Sequence, residues 1–273
     1  MENKVLKSLI IPPQKWIKIR YKKPYILNFK NKDQEIICFG VEHSNNYKDG
    51  LFKKMEEFFE EFRKENKLKK IIILAEGFLP EKNEGKEKLI KKYGEAGMLY
   101  YLAKKNKIRI ESIEPTLEEI IKETIKDGYK NKQIILWLFI NLLWGKLGKD
   151  KKNRDIKEKD LKEAEKTLLI IYEKLKFLRG RQYLSIDFLM KQFKKETKKD
   201  ILKLKIDKIK KFQSPFKNDF SMNKIFSHIN FVKDYFMAKK IIKRLKEKKS
   251  VFAVLGHNHV VAQKDALKKI MDN

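Results

Sequence analysis

The chain has 273 residues, 42% apolar and 38% charged, with 66 Lys and Arg against 37 Asp and Glu, for a formal charge of +29. That supply of Ile, Leu and Phe excludes a largely disordered chain, which lacks the apolar surface to offset its conformational entropy. Only seven of the basic residues are Arg, so the charge reads as a solvated Lys surface; a dedicated nucleic-acid face favours the planar guanidinium fork.

Pro24 to Phe29 and Glu35 to Phe39 are short β-prone runs separated by Asn31-Lys32-Asp33-Gln34, which is a hairpin signal. The second run ends at Gly40 and contains Cys38, the only cysteine, which reads as a small core hydrophobe. A single cysteine excludes an intramolecular disulfide, and with no apolar signal core near residue 1 the expectation is a cytoplasmic protein. From Leu51 to Lys67, Phe52, Met55, Phe59 and Phe62 recur at three- and four-residue steps and predict an amphipathic helix.

Lys70 to Ala75 is a nearly unbroken apolar run and Ile108 to Ile113 repeats the strand signal with Ile108, Ile110 and Ile113, followed by Glu76-Gly77 and Glu114-Pro115, with a predicted helix from Lys86 to Asn106 between them. Such runs are expected of strands buried on both faces of a parallel sheet. The stretch from Leu117 to Phe226 is Lys-rich and helical. Within it, Ile134 to Trp144 reads as a core helix, being about half the ~20 residues that cross a bilayer, and a second helix is predicted near Leu161 to Leu178. His228 has no neighbours that point to chemistry. A helix over about Asn230 to Glu247 leads to a fourth apolar run, Val251 to Leu255, then Gly256 and a final helix over about Gln263 to Met271.

The fold expected is α/β, a mainly parallel central sheet flanked by helices. It forms one domain over 1–273, in which 117–226 is a Lys-rich helical insertion or subdomain. No internal repeat or Gly/Ser linker argues for independent domains.

Ligands of open parallel sheets bind beyond the carboxyl ends of the strands. Here those ends carry Gly40-Val41-Glu42-His43, Glu76-Gly77, Glu114-Pro115 and Gly256-His257-Asn258-His259, so three of the four histidines sit at two strand ends. Imidazole is both a general base near neutral pH and a common metal ligand, and a carboxylate completes either kind of site. His43, Glu76 and His259 are the leading candidates, with His257 as a possible further ligand. Glu42 is a secondary candidate for carrying protons. Glu114 competes with a plain role at the start of the next helix. Trp137, Trp144 and Tyr183 are core positions or apolar pocket walls.

At these residues the sequence resembles the superfamily that joins the TraB pheromone-shutdown proteins, the Tiki proteases, the erythromycin esterases and the ChaN-like haem-binding proteins. The resemblance rests on the order Gly40-Val41-Glu42-His43, Glu76-Gly77, Gly94-Glu95-Ala96-Gly97, Lys233-Asp234-Tyr235-Phe236-Met237 and Gly256-His257-Asn258-His259. It implies that His43 and His259 take the paired Gly-x-x-His positions, Glu76 and Glu95 the two acidic positions, and Asp234 the polar position of a helix motif. Lys233 stands where that motif carries Arg, and read without the resemblance Lys233 and Asp234 are an exposed charged pair.

The function expected is a hydrolase cleaving an amide or an ester. His43, Glu76 and His259 either hold a divalent metal (Mn, Co or Zn) or activate water directly as base and electrostatic partners. The alternatives are a haem- or metal-ligand-binding protein using the same histidines, and a nucleic-acid-associated basic protein. The expected partner is a small molecule or peptide, with no specific nucleic acid and no membrane span.

Overall fold

Two short helices precede the first strand and carry no periodic signal in the sequence: α1 (Asn3–Leu9) and α2 (Pro13–Trp16), the second started by a proline at its first position. The predicted hairpin follows, with β1 (Tyr25–Lys30) antiparallel to β2 (Glu35–Val41). Strand and helix then alternate through α3 (Gly50–Glu65), β3 (Ile71–Ala75), α4 (Lys86–Lys105) and β4 (Arg109–Ser112). In this computed structural model, residues 3–82, 84–147, 154–217 and 219–272 are described.

Next come the helices α5 (Leu117–Lys126), α6 (Asn131–Leu147), α7 (Glu158–Lys174), α8 (Ile186–Thr197) and α9 (Ile206–Phe212), then the long α10 (Ser221–Lys246), β5 (Ser250–Gly256) and α11 (His257–Met271). Two compact units result, one made of Met1–Pro115 with Lys233–Asn273 and the other of Thr116–Val232.

The sheet belongs to the first unit and has the order β1-β2-β5-β3-β4. β2, β5, β3 and β4 are parallel, and β1 is an antiparallel edge strand. The α/β class and the mainly parallel sheet are therefore those expected. Every residue of β2 and β5 is buried, which accounts for their unbroken apolar runs. Ile37, Phe39 and Val41 of β2 join Phe252 and Val254 of β5 under Phe52, Phe59 and Phe62 of α3 and Leu99 and Leu102 of α4. Each such side chain contributes about 1.5–3 kcal/mol on burial. Between them, Gly40 points to the other side, where α11 packs on β1 and β2. A Cβ at Gly40 would meet the Tyr25 carbonyl oxygen at 2.7 Å and the His257 Cα at 2.9 Å, so only glycine lets α11 begin there. Cys38 is fully buried in this sheet, and burial pushes its thiol up to about 12.

A buried polar knot closes the opposite, amino-terminal end of the parallel strands. Asn66 Nδ2 donates to Glu35 Oε2 at 2.6 Å, Ser250 Oγ donates to Asn66 Oδ1 at 2.7 Å, and the Glu35 amide donates to Ser250 Oγ at 3.1 Å. This leaves the carboxyl ends free of that structural duty.

In the second unit the described residues form helices and one isolated bridge, Asp155 with Lys205. Ile134 to Ile140 and Leu143 of α6 are buried, as expected of a core helix, and Trp137 packs edge-on against Phe226. His228 stacks on Tyr129 at 4.6 Å and pairs with Asp127. No helix among the described residues is long and apolar enough to cross a membrane.

Two helix starts differ from expectation. α10 begins at Ser221 and not near Asn230, and α11 begins at His257 and not near Gln263. The second difference bears on the site, because it moves His257 and His259 from a loop onto the first turn of a helix.

Candidate functional site

Three neighbouring strands deliver the candidate residues to one edge. His43 stands two residues beyond β2, Glu76 directly beyond β3, and His259 in the first turn of α11 directly beyond β5. They meet at Gly256. A Cβ built on that glycine would lie 3.3 Å from His43 Nε2, 3.4 Å from His259 Cδ2 and 3.5 Å from Glu76 Oε2. The His43 nitrogen and the Glu76 oxygen are thus no farther apart than those two distances laid end to end.

Each histidine is braced by its own carboxylate. His259 Nδ1 lies 2.6 Å from Asp234 Oδ1, and its Nε2 lies 3.4 Å from Glu76 Oε1. Glu76 Oε2 in turn accepts from the Gly256 amide at 2.6 Å. His43 Nδ1 lies 3.3 Å from Glu95 Oε2, while Glu95 Oε1 accepts from the Ser44 amide at 2.6 Å. A proton on His43 Nδ1, shared with Glu95, leaves its Nε2 facing the space beside Gly256, while His259 turns its Cδ2 edge to that space and its Nε2 to Glu76.

Glu95 reaches His43 because α4 is broken. Gly94, at φ +56° and ψ −131°, interrupts the helix in a region open to glycine alone, and Glu95 opens the second half. A Cβ at Gly94 would meet the Ser44 carbonyl at 2.8 Å, so the break also admits the His43 loop. Asp234, on the part of α10 that belongs to the first unit, is 1% exposed. The charged-pair reading of Lys233 and Asp234 therefore fails at Asp234: tertiary packing covers one of two adjacent charges on a Lys-rich helix. Lys233 Nζ pairs with Glu114 Oε1 at 3.0 Å, and Lys240 Nζ donates to the Glu114 carbonyl at 2.7 Å. These two contacts tie α10 to the end of β4 and occupy both Lys233 and Glu114.

His257 and Glu42 are engaged elsewhere. Two residues along a helix turn a side chain by about 200°, so His257 and His259 leave α11 on different sides. His257 Nδ1 is 3.0 Å from the Val41 carbonyl and its ring lies against Tyr21, whose hydroxyl donates to Asn258 Oδ1. Glu42 is exposed and ion-paired with Lys23.

The electrostatics follow from these contacts. The Glu95 hydrogen bond raises His43 above 6.5, against the opposing effect of burial. Burial alone would lower His259, but Asp234 and Glu76 on its two nitrogens hold it well above 6.5. Burial alone would raise Glu76; the His259 hydrogen bond and charge, with the Gly256 amide, bring it down to about 2. Burial pushes Asp234 up while His259 works against it, and the proton between them belongs to the pair. The arrangement supports a charged imidazole, since a second carboxylate faces its other nitrogen.

Gln263, one turn beyond His259 on α11, is fully buried, and neither the oxygen nor the nitrogen of its amide has a hydrogen-bond partner among the described residues. The sequence reading missed it, although a polar residue four positions after a site histidine on one helix shares its face. Among the described residues no group of three or more His, Cys, Asp or Glu side chains is placed to hold a metal ion.

Fold and site together define an open, mostly parallel α/β protein with an imidazole–carboxylate centre at the carboxyl ends of its strands. No family model, no curated protein and no solved structure matches the chain.

Proposed function

We propose that the chain is a hydrolase of amides or esters, related to the TraB, Tiki and erythromycin-esterase superfamily, that activates water between His43 and His259. The observation that carries this reading is the bare side of Gly256, bordered by His43 Nε2, His259 and Glu76 Oε2 at 3.3–3.5 Å.

In this reading a water beside Gly256 gives a proton to His43 Nε2, the lone-pair nitrogen of a ring whose Nδ1–H is shared with Glu95. The water oxygen bonds to the substrate carbonyl carbon, and the carbonyl electron pair moves to oxygen. His259, kept charged by Asp234 and Glu76, sets its positive charge beside that oxyanion. A fixed cation beside the reacting carbonyl stabilises the charge that develops on its oxygen. The tetrahedral adduct then collapses, and His43 returns its proton to the departing amine or alkoxide. Glu76 touches no bond that breaks; it holds His259 charged and in place. The Thr116–Val232 helices, read as an insertion into the α/β unit, supply no residue to these steps.

The test is hydrolysis of an ester and peptide panel by the parent chain, His43→Ala and Glu76→Ala, with metal content measured on all three. Turnover lost by about 10²-fold or more in His43→Ala supports the base assignment. Unchanged turnover in His43→Ala refutes it. A stoichiometric Mn, Co or Zn that His43→Ala releases would make His43 a ligand instead of the base.

A further inference from the structure

The edge of the sheet that holds the site also gathers exposed apolar side chains. β1 runs antiparallel and its first residue, Tyr25, pairs with Gly40, so the segment before it enters at the carboxyl ends of the parallel strands. That segment is fixed in place: the Tyr21 hydroxyl donates to Asn258, and Lys23 pairs with Glu42. Its outer side presents Ile17 and Ile19, 49% and 41% exposed. Phe78, two residues past Glu76, is 89% exposed, and its loop is pinned by Ser112 Oγ donating to the Gly77 carbonyl at 2.7 Å.

These side chains leave from β1 and β3, on either side of the strands that carry His43 and His259. Three strand spacings separate β1 from β3, roughly 14 Å. Leu68, at the other end of β3, is also exposed, so an isolated apolar residue marks nothing. What sets this edge apart is the cations between its apolar residues. Lys18, Arg20 and Lys22 are exposed and interleave with Ile17, Ile19 and Tyr21, and none of the three is ion-paired among the described residues.

We infer that this edge docks on an anionic phospholipid surface, Ile17, Ile19 and Phe78 entering the headgroup layer while Lys18, Arg20 and Lys22 meet lipid phosphates. Apolar anchors ringed by cations bind such surfaces by combining area burial with electrostatic attraction. A formal charge of +29 opposes a second copy of the chain as the occupant and favours an anionic one. Docked this way, the space beside Gly256 opens toward the lipid surface.

The experiment is co-sedimentation of the full chain with phosphatidylcholine vesicles, plain or containing about one third phosphatidylglycerol, at about 0.15 M salt. Three triple variants are compared, each checked for unchanged circular dichroism: Ile17→Ser with Ile19→Ser and Phe78→Ser; Lys18→Gln with Arg20→Gln and Lys22→Gln; and, as a control of equal charge loss, Lys191→Gln with Lys194→Gln and Lys195→Gln. The parent is expected to pellet with the phosphatidylglycerol vesicles. Both edge variants should lose at least about tenfold in partitioning, and the control should stay within about twofold.

Parent chain left in the supernatant, an apolar-edge variant that pellets like the parent, or a control that loses as much as the edge cation variant overturns the inference. So does a parent dimer in sedimentation equilibrium that the apolar-edge variant dissolves. The pelleting assay needs no turnover, so its failure and the failure of the hydrolase reading are separate results.

Discussion

Gly256→Ala separates the roles of two glycines that the fold places close together. The backbone at Gly256, φ −54° and ψ 134°, suits alanine, and the added methyl meets side-chain atoms at 3.3–3.5 Å, which yield by a few tenths of an ångström. The expected stability loss is within about 1 kcal/mol, a melting shift of roughly 2–4 °C. The same methyl occupies the position assigned to the attacking water. Displacing a reacting atom by about 1 Å costs on the order of 10² in rate, so kcat/KM on whichever panel substrate the parent hydrolyses should fall at least that far.

Gly40→Ala should do the reverse. Its methyl would meet backbone atoms at 2.7 and 2.9 Å that cannot step aside without moving β1 or α11. Overpacking of that kind costs about 1–3 kcal/mol or more and appears as a lower melting temperature. The assays are steady-state hydrolysis and a thermal melt on parent and both variants. Parent-like turnover by Gly256→Ala would refute the reasoning, because the reaction would then not occur in the space that the methyl fills.

Glu95→Gln removes the carboxylate that raises His43. A base must be neutral to accept a proton, so the acid limb of the parent's kcat/KM should lie above pH 6.5 and move to lower pH in the variant; an unmoved limb counts against His43 as base. Asp234→Asn should lower the pKa of His259, followed by NMR titration of the ring. A raised folded-state pKa contributes stability that is full below 6.5 and lost as pH rises through the folded value, so the variant's deficit, about 1–3 kcal/mol, should be largest near pH 6 and shrink in base. Asn66→Ala leaves the buried Glu35 carboxylate without its donor and should cost about 1–3 kcal/mol in a thermal melt. It should leave the His43 and His259 titrations untouched, since it acts at the far end of the strands.

The strands were legible because burial on both faces leaves no polar residue to interrupt β2, β3 or β5. The convergence of His43, Glu76 and His259 followed from the same fact, as a residue just past a buried strand emerges at its carboxyl edge. The position of β5 between β2 and β3 was not legible, because an apolar run does not record which neighbours it will pair with. The start of α11 was hidden by His257-Asn258-His259, polar residues of modest helix propensity that read as loop until the strand and Tyr21 hold them. Asp234 entered only through the family resemblance, since a Lys-rich helix gives no local sign of which charge its neighbours will cover. The part played by Gly256 was seen only as a turn; what matters is the side chain it lacks.

The place of β5 in the sheet also governs when the centre can exist during synthesis. β2 and β3 emerge early, yet they touch each other only through a strand made after the whole of Thr116–Val232. Until then two apolar strand edges wait unpaired, in need of protection from aggregation by a chaperone or by the nascent chain itself. A chain interrupted anywhere before Ser250 would carry His43 and Glu76 with no strand between them, and both of those edges would stay open.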